Sequence, residues 1–329
     1  MLETGTLSGG VRVVGEMMNR LVSRGWPVTV ISLHPRRSMD SKEGAWFDLN
    51  PGVKWMDFYK TGMLGDYDDA LAVMKKMEGL KIATYWRTAH FMTQQESCAP
   101  GEGFYIVQDF ETTYAIGRND RALVVNTYDG ALRMLATSQY VMGKIPHATY
   151  VGIGLSDRYR AKAQPRNGEP LAALRRSWFK GYSELCEVLR YLAKEGKQVT
   201  TYGLDSRLYA FTPVKHTAKP TDQLVRDLLS RHSCYISTSR HEGFNLTKLE
   251  AMAMGCPVVG TPDHGSDEYC VHEENCLVGS TPREIADGVL RVLSDKGLAM
   301  KLAQGGLETV KRYKWGPVID RMEEQFVDV

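Results

Sequence analysis

Residues 237–261 read STSRHEGFNLTKLEAMAMGCPVVGT, and this stretch decides the fold. An apolar run over 234–238 predicts a strand feeding a polar loop that carries Glu242 and Gly243. Apolar periodicity beyond the loop predicts a helix from Asn245 that carries Glu250, and 257–260 predicts a second strand. Strand, loop, helix, strand in that order is a parallel α/β unit. In such sheets ligands sit beyond the carboxyl ends of the strands, where this loop falls.

The same alternation extends on both sides. After Gly9 and Gly10, residues Val11, Val14, Met17, Met18 and Leu21 recur at helical spacing up to Gly25. Strands are predicted at 28–33, 53–58, 80–84, 104–107 and 150–153, with helices at 67–77 and 88–95 and a strand–helix pair over 132–141. Residues 157–170 carry Arg158, Arg160, Lys162 and Arg166 among Pro165, Gly168 and Pro170, the composition of a linker. A second series follows: strands at 171–174 and 198–202, helices at 182–194 and 221–229, then the quoted segment and helices at 282–293, 298–313 and 317–326. The expectation is an α/β chain of two Rossmann-like domains with parallel sheets facing a cleft. Their bounds are 1–156 and 171–312, joined by a basic linker at 157–170, with a terminal helix at 313–329 packing back on the first domain. Residues 1–8 are poor strand material, so the first domain is expected to lack a normal first strand.

Composition narrows the function. The chain has 329 residues, enough for two domains, and its 41 Lys and Arg nearly balance 39 Asp and Glu, which argues against a nucleic-acid partner. No apolar run suits a bilayer span and no signal pattern opens the chain, so a cytoplasmic protein is expected. The six cysteines show no CxxC spacing, as in a reduced protein. Cys270, His272 and Cys276 could be drawn as a metal cluster, but a surface turn accounts for them better.

The chemistry rests on a few side chains. Gly9 and Gly10 before one helix, and Gly243 with an N-capping Asn245 before another, offer helix N-termini to an anion. Glu242 and Glu250 are carboxylates that together suit sugar or ribose hydroxyls; seen alone, Glu242 reads rather as a loop carboxylate near a positive helix end and Glu250 as an ordinary half-exposed helix acid. Arg175, Arg176 and Lys180 before Gly181 suit a phosphate, with a solvated basic turn as the plain alternative. The Asp66–Asp69 acids form a DxD at a predicted helix start, where capping explains them. His90, Gln108, Asp109 and Glu111 follow strand ends and are acceptor-side candidates; a surface histidine, and for Asp109 or Glu111 a helix N-terminal acid, are the plain alternatives. His264-Gly265-Ser266, before a predicted short helix, is a second anion contact or a tight turn, and Gly203 ends a strand where a base could stack.

These pieces together resemble the retaining GT-B glycosyltransferases of family four, also called group 1. SGGVRVVGEMMNRLVSRGWPVTVIS resembles their glycine loop, first helix and second strand, RRSWFKG their Arg…Lys-Gly diphosphate element, HEGFNLTKLEAMAMGCPVVGT their E-x7-E segment, and SDEYCVHEENCLV their C-terminal tail. TYWRTAHF and YIVQDFETTY resemble the subgroup of bacterial rhamnosyltransferases. The resemblance implies a nucleotide-sugar donor, a carbohydrate or lipid-linked acceptor, no cofactor and no obligatory metal. It implies that Arg175 and Lys180 neutralise the diphosphate and that Glu242 with Gly243, Phe244 and Asn245 holds the sugar. Glu250 would hold the ribose, with Leu246 nearby. Gln108 stands where the family often has His, and Cys276 where glycine is common. A homologue that binds nucleotide sugar without turnover is the alternative reading; a nicotinamide dehydrogenase lacks its GxGxxG after a strand. The basic linker suits peripheral contact with an anionic membrane.

Overall fold

In the computed structural model, residues 9–32, 48–58, 65–94, 102–113, 118–161, 165–204 and 214–327 are described. In chain order these are α1 (Gly9–Ser23), β1 (Thr29–Ser32), β2 (Lys54–Asp57), α2 (Gly65–Lys76), β3 (Lys81–Ala83), α3 (Trp86–Gln94), β4 (Gly103–Val107), α4 (Arg118–Tyr128), β5 (Arg133–Ala136), α5 (Gln139–Lys144) and β6 (Thr149–Tyr150). There follow β7 (Pro170–Ala173), α6 (Tyr182–Lys194), β8 (Val199–Gly203), β9 (Val214–Ala218), α7 (Asp222–Arg231), β10 (Cys234–Ser237), α8 (Leu246–Ala253), β11 (Val258–Gly260), β12 (Cys276–Val278), α9 (Pro282–Ser294), α10 (Lys296–Val310) and α11 (Trp315–Val327). The chain divides into two units, Met1–Gly154 with Trp315–Val329, and Leu155–Lys314.

In the first unit, β1 and β2 form a parallel pair, and β3, β4, β5 and β6 form a parallel four-stranded sheet in that order. The expected want of a first strand falls on residues 1–8, outside the described residues. The core gathers Tyr105 and Val107 of β4, Ala136 of β5, Val124 of α4 and Met92 of α3. α11 belongs to this unit: Phe326 meets Phe104 edge-on at 5.2 Å and Trp26 at 5.5 Å. Arg321 Nε donates to Val151 O at 2.9 Å.

The second unit holds a six-stranded, all-parallel sheet in the order β9-β8-β7-β10-β11-β12. Counted from β7 this is third, second, first, fourth, fifth, sixth, the order of a doubly wound nucleotide-binding sheet. Apolar residues of the strands (Ala172, Ile236, Val259, Leu277) meet Leu185, Val188 and Leu189 of α6 and Ile285 and Val289 of α9. The i, i+3, i+4 spacing of those helical residues is what turns one face of each helix to the sheet. Thr221, Thr281 and Asp295 cap α7, α9 and α10, each accepting from a backbone N–H three residues on. Residues 157–161 and 165–170 lie within this unit. There Arg166 donates to four backbone carbonyls, of Leu229, His232, Met254 and Gly255.

Candidate functional site

Because strand order reverses at β7, the carboxyl ends of β7 and β10 diverge and leave a pocket between their loops. Ala173 and Arg175 line it from β7; Tyr235, Ser237, Thr238 and Ser239 line it from β10. Lys180, Glu242, Asn245 and Thr247 complete the wall. Burial pushes the Tyr235 phenol up to about 12, so Tyr235 stands in the wall as a neutral hydroxyl.

Lys180 and Glu242 are brought into contact. Lys180 Nζ donates to Glu242 Oε2 at 2.6 Å, and Ser239 Oγ donates to Oε1 at 2.8 Å. Both charged side chains are mostly buried. Arg175 lies at the open side, its guanidinium 3.3 Å from Thr247 Oγ1. Gly181 lets the chain leave Lys180 for α6: it is left-handed at φ 64°, and a Cβ there would lie 1.7 Å from Thr238 O. Only glycine satisfies both conditions.

Asn245 starts α8, its side chain accepting from Lys248 N at 3.3 Å. Its backbone is left-handed, φ 60° and ψ 62°, a conformation Asn tolerates better than most residues. With Thr247 in the wall, the N-terminus and positive end of α8 adjoin the carboxylate–ammonium pair.

Two residues beneath this loop were not singled out in the sequence. Lys248, 1% exposed, and Asp263, 0% exposed, form an ion pair with Nζ 2.9 Å from Oδ2. Nζ also donates to Thr261 O at 2.6 Å and Ser266 Oγ at 2.9 Å. Burial opposes the Lys248 charge, but Asp263 outweighs it and the pKa is raised. Asp263 further accepts from Asn245 Nδ2 and from Ser266 N, while its backbone carbonyl accepts from Glu242 N at 3.0 Å. The sole local signal was a lysine where α8's periodicity calls for an apolar residue.

Other candidates lie elsewhere. Glu250 is buried, 4% exposed, and does not line the pocket. The half-exposed alternative fails because α8 is covered on both sides, by the sheet and by α10, whose Gly306 adjoins Met252. Gly243, Phe244 and Leu246 belong to the loop and helix start without lining the pocket; Phe244 instead packs edge-on against Tyr313 at 5.5 Å. Gly203 ends β8, where a Cβ would lie 2.3 Å from Leu174 O. No helix follows His264-Gly265-Ser266; these residues form a tight turn under the Glu242 loop, with a Gly265 Cβ only 2.4 Å from Phe244 N.

In the first unit, Gly9 is the first residue of α1, and Gly10 lies against Gln108, whose Oε1 would be 3.2 Å from a Cβ. Gln108 Nε2 points to Thr84 O at 3.4 Å. Asp109 Oδ1 accepts from Phe110 N at 2.7 Å. His90 is half-buried on α3, and desolvation lowers its pKa. Glu111 is a helix N-terminal acid, but for α3: buried, it accepts from Trp86 N at 2.8 Å and from the Tyr105 hydroxyl. Asp68 and Asp69 ride on the N-terminal half of α2. Among the described residues no group of three or more His, Cys, Asp or Glu could hold a metal ion, and no helix is long and apolar enough to cross a membrane.

Residues 171–295 match the family model described as Glycosyl transferases group 1. N-acetyl-alpha-D-glucosaminyl L-malate synthase of Bacillus anthracis is 30% identical over 109 residues, which is 32% of this chain and 28% of that protein. Sucrose-phosphate synthase of Spinacia oleracea is 30% identical over 105 residues, 31% of this chain and 10% of that one. The chain thus spans less than a third of either relative. Sucrose-phosphate synthase from Thermosynechococcus elongatus superimposes with a TM-score of 0.82 at 17% identity, covering 99% of this chain and 94% of that one. Anabaena HepE in complex with UDP and glucose gives 0.80 at 14%, covering 100% and 98%. The chain has the GT-B fold, and its segment 171–295 is similar to the group 1 glycosyl transferases.

Proposed function

We propose that this protein is a retaining glycosyltransferase. It moves a hexose or deoxyhexose from a nucleoside-diphosphate sugar to a saccharide or lipid-linked acceptor, without an obligatory metal. The observation that carries this reading is the meeting of Arg175, Lys180, Glu242 and the N-terminus of α8 at one pocket of the second unit. Two cations and a helix N-terminus suit a diphosphate; a carboxylate beside them suits sugar hydroxyls.

In this scheme the bond between the anomeric carbon and the diphosphate oxygen breaks while the acceptor oxygen bonds to the same face. The acceptor's proton passes to the departing phosphate oxygen, so no separate base is needed. Arg175 and Lys180 offset the charge growing on the diphosphate, which is where preorganised cations lower a barrier most. Glu242 orients the sugar and offsets positive charge developing at its ring. Glu250 is assigned to the ribose on the resemblance alone, and His90, Gln108 and Asp109 to the acceptor side. HepE solved with UDP and glucose and with UDP-glucose supports a uridine nucleotide as the first donor to try. The likeness of TYWRTAHF and YIVQDFETTY to rhamnosyltransferases supports a deoxyhexose among the sugars. Exposed Arg158 and Arg160 suit an anionic surface bearing a lipid-linked acceptor.

The test is a panel of nucleotide sugars scored by thermal shift, followed by transfer assays with and without chelator. Product NMR would show the anomeric configuration. Inversion at the anomeric carbon removes the front-face scheme, and a chelator-sensitive rate removes metal independence. Binding with no turnover on any acceptor leaves the binding-only homologue.

A further inference from the structure

Asp263 is the hub of the contacts that shape the pocket loop. Its carbonyl holds Glu242 N, and its carboxylate holds Asn245, Ser266 and Lys248. Lys248 uses its three donors on Asp263, Thr261 and Ser266. Sealing a charge pair this deeply is costly, and a well-packed apolar pair often holds a fold equally well. Attachment of the turn to the sheet therefore does not explain the pair. An apolar pair would, however, leave Ser266 N without this acceptor and Asn245 Nδ2 with only Ser237 Oγ, 3.3 Å away, which weakens the polar hold on the left-handed Asn245. The hub reaches the pocket through Glu242 and Asn245, both of which line it.

We propose that Lys248 and Asp263 are positioning residues: they hold Glu242 and the start of α8 in the arrangement that receives the diphosphate of a nucleotide sugar. The ligand in this statement rests on the glycosyl-transfer reading; the positioning of the loop does not.

The test pairs Lys248→Met with Asp263→Leu in the full chain, keeping volume and burial while removing both charges. Two readouts are taken: amide hydrogen exchange of residues 242–247 against that of β10 and β11, and the Kd for uridine diphosphate. The expected result is a melting temperature close to that of the unaltered protein. Exchange in 242–247 should rise at least about tenfold with β10 and β11 unchanged, and affinity for the diphosphate should fall about tenfold or more, as for loss of a hydrogen bond to a charged group. Unchanged exchange and affinity, or exchange raised uniformly through the sheet, would overturn the proposal. Should the double variant not fold, Asp263→Asn, which keeps shape and one acceptor oxygen, is read by the same two measurements with the same signs expected. If the unaltered protein binds no nucleoside diphosphate, the transfer reading fails, and hydrogen exchange still decides whether the pair positions the loop.

Discussion

Lys180 and Glu242 are each other's partners in the wall of the pocket, Nζ to Oε2 at 2.6 Å, with Ser239 holding the second carboxylate oxygen. A diphosphate arriving at Lys180 competes with Glu242 for the ammonium. Under the proposed function this would free the carboxylate toward the sugar and link recognition of the two halves of the donor. Glu242→Gln should accordingly tighten binding of inorganic pyrophosphate, by up to about fivefold for a pair worth about 1 kcal/mol, while lowering transfer. Isothermal titration decides the sign; weaker pyrophosphate binding in the variant contradicts the competition.

The cations should be separable from nucleoside recognition. Lys180→Ala and Arg175→Ala should each weaken uridine diphosphate about tenfold or more and leave uridine affinity unchanged, the loss expected for one charge-assisted contact. Equal losses for both ligands would show that these residues act on the fold.

Gly181 admits no side chain. With φ at 64° and Thr238 O 1.7 Å from a built Cβ, Gly181→Ala should cost more than about 2 kcal/mol. A melting curve measures it, and an unchanged midpoint would mean that the turn carrying Lys180 relaxes freely.

Arg166 ties the ends of α7 and α8 together through the carbonyls of Leu229, His232, Met254 and Gly255. Arg166→Ala should destabilise by about 2–4 kcal/mol, because four carbonyls lose a charged donor at once. Lysine, with one ammonium in place of a planar fork, should recover only part of that. Complete recovery in urea unfolding by Arg166→Lys would refute the bidentate role.

Stability should fall with acidification through a buried histidine. Burial lowers the His232 pKa below 6.5, its ring N–H to Leu228 O opposing in part. Above pH 6.5 the ring is neutral folded or unfolded. Below it the unfolded chain takes up the proton first, so stability is lost as pH falls from 6.5 through the lowered folded value. His232→Gln, which can still donate to Leu228 O, should reduce the drop in melting temperature between about pH 7.5 and 5.5. An equal drop in the variant would place the acid sensitivity elsewhere, His90 being the next candidate.

Local pattern alone was enough for most elements of the second unit and for the loop between β10 and α8, because buried parallel strands and amphipathic helices write their periods into the chain. It also marked Arg175, Lys180, Glu242 and Asn245, whose places at strand ends and a helix cap are local facts. It missed α4, where Val124, Val125, Asn126 and Thr127 are weak helix formers, the half-exposed strand β9, and the three-residue β12. Tertiary packing decided what pattern could not. Glu250 is buried because α10 closes over α8, and Arg166 serves two helix ends that lie far from it in sequence. Lys248 meets Asp263 across the end of β11. A charge inside a helix reads as solvated until the partner that neutralises it is brought in by the fold, and that partner is set by the sheet order, which short-range spacing does not encode.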